Sequence, residues 1–186
     1  MTETQTGTIP GYIAGTWDID AVHSEVGFSV RHMMVSKVRG KFGKFAGQIV
    51  TGPDLLGSSV TADIDLSSIE TGSEQRDGHL RSPDFFDTEN HPQMTYRSTG
   101  VRADGEHYVV DGELALRGVT KNVPLKLEVN GFGPDPFGGT MAGFTATGHI
   151  NRSEFGITYN AAIEGGGVVV ADRVDIHLEI EAVLKA

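Results

Sequence analysis

The stretch VDIHLEIEA, Val174–Ala182, places Val174, Ile176, Leu178, Ile180 and Ala182 on alternate positions, with Asp175, His177, Glu179 and Glu181 between them. In a strand successive side chains point to opposite faces. This stretch is therefore a strand with one apolar and one wet face. The same alternation recurs along the chain. Val26, Phe28 and Val30 form one row, and Val38, Gly40 and Phe42 alternate with Lys37, Arg39 and Lys41. Val60, Ala62, Ile64 and Leu66 form another, followed by Met94, Tyr96 and Ser98. Tyr108, Val110, Gly112, Leu114 and Leu116 come next, then Val123, Leu125, Leu127 and Val129, then Ala142, Phe144, Ala146, Gly148 and Ile150. Phe45 follows Phe42 by three residues across Gly43, an odd step that predicts a bulge or bend.

These rows give about eight or nine strands, spaced as in an all-β sandwich or barrel. Turn chemistry separates them at Thr51-Gly-Pro-Asp, Ala103-Asp-Gly and Gly133-Pro-Asp-Pro-Phe-Gly-Gly. A barrel of roughly eight strands is either filled by its own side chains or holds one small ligand. Gly40, Ala62, Gly112, Ala142, Ala146 and Gly148 lie in the apolar rows beside Phe28, Phe42, Leu116 and Phe144. Small residues there mean either small-against-large packing or room for a guest, and the pattern alone leaves both open.

The chain has 186 residues and no cysteine, which excludes thiol catalysis, thiolate metal sites and disulfides. It is read as one domain over 16–186 after a loose arm over 1–15. The formal charge is −10, from 15 basic and 25 acidic residues, which argues against nucleic acid as a partner and against strong attraction to anionic headgroups. Arg31, Lys37, Arg39, Lys41 and Lys44 make a local basic stripe, read as a solvated strand face. The opening MTETQTGTIPGYIAG has neither a basic n-region nor an apolar h-region, so a cytoplasmic location is expected. No apolar run approaches a membrane span, so no stable membrane insertion is expected.

One stretch, SEQRDGHLRSPDFFDTENHP (73–92), neither alternates nor turns on glycine. Ser73 followed by Glu74 predicts a helix start, and Ser82-Pro83 its end, giving a short helical insertion at about 73–88. Asp77 and His79, two apart, point to different sides of that helix, which disfavours an acid–base pair. His79, Asp84 and His91 lack a compact metal-ligand spacing. A structural role is expected, with Arg76, Asp77 and Arg81 paired to strand residues such as Arg31, Asp63 or Asp65. No catalytic residue, metal site or cofactor is expected.

Four segments together resemble the YceI-like family: WDIDAVHSEVGFSVRHMMVSKVRGKF (17–42), TG (71–72) with RDGHLRSPDFFD (76–87) and HP (91–92), LRGVTKNV (116–123), and NRSEFGI (151–157). The resemblance implies an extended, lipocalin-like antiparallel β-barrel that binds polyisoprenoids or other long amphiphilic lipids without catalysis, often as a homodimer. On that basis the expected function is storage or transport of such a lipid. Ser73–Pro92 is then a cover, with Arg76, Asp77 and His79 locking it to the wall. The ligand-binding candidates are Phe28, Val30, His32, Met33, Phe42, Arg76, Leu80, Phe85, Phe86, Leu114, Leu116, Phe144 and Ile150. His32 and Arg76 are the head-group contacts among them. Two rivals stand beside this reading. One is a ligand-free structural or stress-response barrel. The other is an enzyme on isoprenoid or acyl substrates with His79 or His32 as base.

Overall fold

The computed structural model of the chain describes residues 9–33, 35–160 and 170–185. Met34, the first eight residues of the expected arm and the Glu164-Gly-Gly-Gly-Val loop lie outside the described residues. In chain order the strands are β1 (Gly15–Ile19), β2 (Glu25–His32), β3 (Ser36–Phe42), β4 (Phe45–Thr51), β5 (Ser59–Asp65) and β6 (Ile69–Glu70). After the helix α1 (Glu74–Arg81) come β7 (Gln93–Asp104), β8 (His107–Leu116), β9 (Val119–Asn122), β10 (Leu125–Pro134), β11 (Thr140–Asn151) and β12 (Val170–Leu184).

The strands form one antiparallel sheet in the order β1-β4-β5-β7-β8-β10-β11-β12, and β12 pairs back onto β1. The sheet is thus closed, an eight-stave barrel. Twelve strand segments make eight staves because several staves are interrupted. β12 pairs along its length with β2, from Val170↔His32 to Glu179↔Glu25, and then with β1, from Ala182↔Ile19 to Leu184↔Trp17. β1 and β2 are therefore one stave with a break at Asp20–Ser24. β3 and β4 are likewise one stave, broken at Gly43-Lys44. There the Gly43 amide donates to the Ser68 carbonyl (3.2 Å) and the Lys44 amide to the Ser68 hydroxyl (3.0 Å). The insertion resets the parity, so Phe42 and Phe45 both face inward, as the odd spacing predicts.

The two ends are closed differently. At the end holding Thr51 and the β10–β11 hairpin, Trp17 is fully buried and its ring meets Phe132 edge-on at 5.5 Å. Residues from the expected arm help here: Tyr12 packs edge-on against Phe132 and donates its hydroxyl to the Gly52 carbonyl (2.8 Å). At the opposite end α1 and the turns after it lie over the barrel.

The break between β1 and β2 is pinned by polar side chains. The Ser24 hydroxyl donates to the Glu181 carbonyl (3.1 Å) and accepts from the Glu181 amide (2.9 Å). His23 Nδ1 lies 2.7 Å from Asp20 and 3.4 Å from Glu181. The hydrogen bond to Asp20 holds the exposed His23 imidazole above its ordinary range and Asp20 below its own. A raised imidazole value adds stability that is complete below 6.5 and is lost as pH rises through the folded-state value. A lowered carboxylate value adds stability that is present above 3.8 and is lost as pH falls through the folded-state value. The pair is thus most effective between these two values. The gap in thermal midpoint between the wild type and His23→Gln should be widest between pH 3.8 and 6.5 and narrow as pH rises above 6.5. A gap that stays constant as pH rises above 6.5 would show that His23 does not act through its charge.

Candidate ligand cavity

Inward-facing residues of all eight staves surround a cavity of about 270 Å³. Its lining is almost entirely apolar, with Thr51, Ser58, Ser59 and Arg152 as the polar-side-chain exceptions besides Tyr96. Val26, Phe28, Val30, Phe42, Phe45, Ile49, Val60, Ala62, Ile64, Met94 and Val101 contribute from one half of the barrel. Val110, Leu114, Leu116, Leu125, Leu127, Phe144, Ala146, Ile150, Val174, Ile176, Leu178 and Ile180 contribute from the other.

The small residues of these rows play two roles. A Cβ on Gly40 would fall 2.4 Å from the Phe28 ring, and one on Gly112 would fall 2.4 Å from the Tyr96 ring. Gly148 is covered by Leu125 in the same way. At these three glycines the wall is small because a neighbour lies across it, which is ordinary packing and not room for a guest. Ala62 and Ala146 instead border the open space. Tyr96 is buried and donates its hydroxyl to the Val123 carbonyl (2.8 Å), so its polar end is satisfied inside the apolar wall. Burial pushes its phenol well above the ordinary value.

The segment 73–92 closes one mouth. Ser73 caps α1 by accepting from the Arg76 amide (3.3 Å), and the helix ends at Ser82, as the sequence predicts. Leu80, Phe85 and Phe86 reach down to the cavity, and Phe86 packs edge-on against Phe42 at 6.0 Å. The polar ties differ from those expected. Arg76, Asp77 and Arg81 do not pair with Arg31, Asp63 or Asp65. Asp77 accepts from the Thr71 amide (2.9 Å) and hydroxyl, and Arg76 donates to the Thr71 hydroxyl (2.7 Å) and carbonyl (2.6 Å). Arg81 donates to the Ser67 (2.9 Å) and Ile69 (3.3 Å) carbonyls. All three therefore fasten the cover to the chain just before it. His79 bonds Asp84 (2.8 Å) within the cover, and its ring stacks edge-on with Phe85 and Tyr159.

Two arginines that the sequence reading passes over hold this end together. The β8–β9 hairpin turns on Arg117 and Gly118, both with positive φ (51° and 75°), the two-residue geometry suited to a twisted hairpin. That turn aims Arg117 at the Phe85 carbonyl (2.7 Å) and the Gly156 carbonyl (3.3 Å), tying the cover to the segment after β11. Arg152 is buried and donates to the carbonyls of Ile157, Tyr159, Val170 and Ala171 at 2.8–3.1 Å. Burial pulls its pKa below the ordinary arginine value, opposed by the Asp172 charge. A lone arginine in NRSEFGI was the available signal, but nothing in the spacing named its carbonyl partners.

Of the sequence candidates, Phe28, Val30, Phe42, Leu80, Phe85, Phe86, Leu114, Leu116, Phe144 and Ile150 border the cavity. His32, Met33 and Arg76 do not: Met33 is exposed at the β2–β3 turn, and Arg76 is spent on Thr71. His79 and Asp84 meet but His91 does not join them, and among the described residues the one group of three metal-type ligands is Asp20, His23 and Glu181.

A closed antiparallel barrel of eight staves with an open apolar space inside has the dimensions of barrels that hold one small ligand. The chain belongs to the family of the YceI-like domain, whose model matches residues 17–182. A UPF0312 protein of Staphylococcus epidermidis is 39% identical over 167 residues, covering 89% of this chain and 95% of that protein. Another, from Photorhabdus laumondii, is 41% identical over 139 residues, covering 74% and 72%. Among solved structures, BcnA of Burkholderia cenocepacia superposes with a TM-score of 0.77 at 25% identity, covering 88% of this chain and 98% of that one. A polyisoprenoid-binding domain of Saccharophagus degradans, implicated in plant cell wall breakdown, superposes with a TM-score of 0.66 at 18% identity, covering 93% and 100%.

Proposed function

We propose that this protein is a non-catalytic carrier or store that holds the long apolar chain of an amphiphilic, polyisoprenoid-like lipid inside the barrel. The observation that carries the reading is the cavity itself, set inside the barrel and bordered almost entirely by apolar side chains. Such a space accepts hydrocarbon, and a head group would stay at a mouth. The polyisoprenoid-binding domain of S. degradans shares the fold and supports the ligand class. Neither His79 nor His32 borders the cavity, and His79 is engaged by Asp84, so neither stands where a general base would meet a buried chain. The cytoplasmic location expected from the sequence and the homodimer implied by the family resemblance belong to the same proposal, and fractionation with light scattering tests them.

Native mass spectrometry of freshly purified protein, followed by organic extraction, should find a lipid of defined mass. Affinity for a series of prenyl or alkyl chains should rise about fourfold per added methylene, at about 0.8 kcal/mol each, until the lumen is full. An empty protein that takes up none of the series would instead support a barrel without a ligand.

A further inference from the structure

We propose that the tip of the β2–β3 hairpin docks the barrel on an anionic lipid bilayer. At the tip Val35 is 87% exposed and Met33 45% exposed. Directly behind them Arg31 and Lys37 face each other across the two strands, both exposed, with Arg39 and Lys41 continuing the row on β3. Like charges placed opposite one another weaken a hairpin. Among the described residues Arg31, Lys37, Arg39, Lys41 and Lys44 make no ion pair. A chain of net charge −10 thus gathers five of its 15 basic residues on one hairpin and the short turn after it, behind an apolar tip.

Acidic groups do approach this surface. Glu70 lies opposite Lys41 on β6, Glu25, Glu74 and Asp77 border the same recess as Arg39 and Lys41, and Asp175 on β12 lies beside Ser29. These groups lie toward the base of the hairpin, whereas Arg31 and Lys37 lead at its tip. At physiological salt, charges farther away than about 8 Å are largely screened, so the net charge of the molecule does not decide what the tip meets. The arrangement of exposed apolar side chains backed by cations suits a bilayer interface, where the apolar groups enter and the cations meet phosphates.

Position adds a second argument. His32 pairs with Val170 at the start of β12, which places the tip at the barrel end closed by Leu80, Phe85 and Phe86. Docking there would bring the covered mouth to the lipid surface. The other strongly exposed hairpin residue, Phe137 (94% exposed), lies at the opposite end. Asp135 holds that turn by accepting from the Phe137 and Gly139 amides, so its local charge is acidic. It serves as an internal control.

The test is co-sedimentation of the full chain with vesicles of phosphatidylcholine alone and of phosphatidylcholine with about 30% phosphatidylglycerol, across a salt series. The wild type should bind the anionic vesicles and lose binding as salt rises. R31Q/K37Q should bind roughly 25-fold more weakly, about fivefold for each cation removed. Val35→Asp should also weaken binding, and Phe137→Ser should leave it unchanged. Thermal melts of each variant establish that the barrel is intact. No binding by the wild type, equal binding to neutral vesicles, or undiminished binding by R31Q/K37Q would each overturn the proposal. None of these three outcomes depends on what the cavity holds, so failure here leaves the carrier reading standing.

Discussion

Trp17→Ala should lower the unfolding free energy by about 3–5 kcal/mol, the range for removing a large aromatic from a closed core. Trp17 is fully buried where the β1 stave meets both β4 and β12, so it sits on the seam that closes the barrel. Its ring packs edge-on against Phe132, which in turn meets Phe144 at 6.1 Å. Its indole N–H donates to the Thr51 hydroxyl (2.9 Å), which also accepts from the Gly15 amide (2.9 Å) and donates to the Ile13 carbonyl (2.8 Å). The substitution therefore opens a void and removes one partner from a buried hydroxyl. Trp17→Phe keeps most of the packing and loses the hydrogen bond. It should cost about 1–2 kcal/mol, which separates the two contributions. Urea unfolding followed by circular dichroism measures both, with exposed Val22→Ala as a neutral reference. A loss below about 1 kcal/mol for Trp17→Ala would mean that this end of the barrel collapses without penalty.

Why Trp17 could not be weighed from the sequence shows where pattern reading stops. Alternation identifies which face of a strand is apolar, and it placed Phe28, Leu114, Phe144 and Ile176 correctly on the inside. It works because a half-buried strand has a period of two whatever its partners. It carries no information about depth along the barrel axis, so it could not distinguish Trp17, sealing an end, from Phe144 on the lumen wall. The Phe42 to Phe45 step was legible because an insertion changes parity, which sequence displays directly. The arginines were not legible. Arg117 and Arg152 act on carbonyls, and a backbone acceptor leaves no trace in side-chain spacing. For the same reason Arg76 and Arg81 were assigned to the wrong partners. A charge in the sequence invites a search for an opposite charge, whereas these side chains bind Thr71, Ser67 and Ile69. Glycines left a choice open: Gly40 and Gly112 stood for either packing or free space, and Phe28 and Tyr96 cross over them. That fact depends on register, which sequence alone does not fix.

The register makes the ligand hypothesis separable from stability. Ala146 lies between Leu127 on β10 and Leu178 on β12, and all three border the cavity. Ala146→Phe should project a ring into the lumen at mid-barrel. The ring displaces on the order of four methylenes of a guest, about 3 kcal/mol or roughly 200-fold in affinity for a prenyl or alkyl chain. The unliganded variant should melt no lower than the wild type, since the new ring buries apolar surface in space that was open. Ordinary core overpacking would do the reverse, destabilising by about 1–3 kcal/mol. The two effects diverge in one experiment. A ligand that binds only the folded barrel raises its melting point by mass action. Added lipid should therefore shift the wild-type melt strongly and the Ala146→Phe melt little, although the two start from similar midpoints. Ala62→Leu, on the facing half of the barrel between Gly47 and Tyr96, provides an independent version. If both variants keep the full lipid-induced shift, the chain does not run through the middle of the barrel, and the ligand lies at a mouth or on the surface. If both lose it while staying folded, the open space between the staves is the binding site.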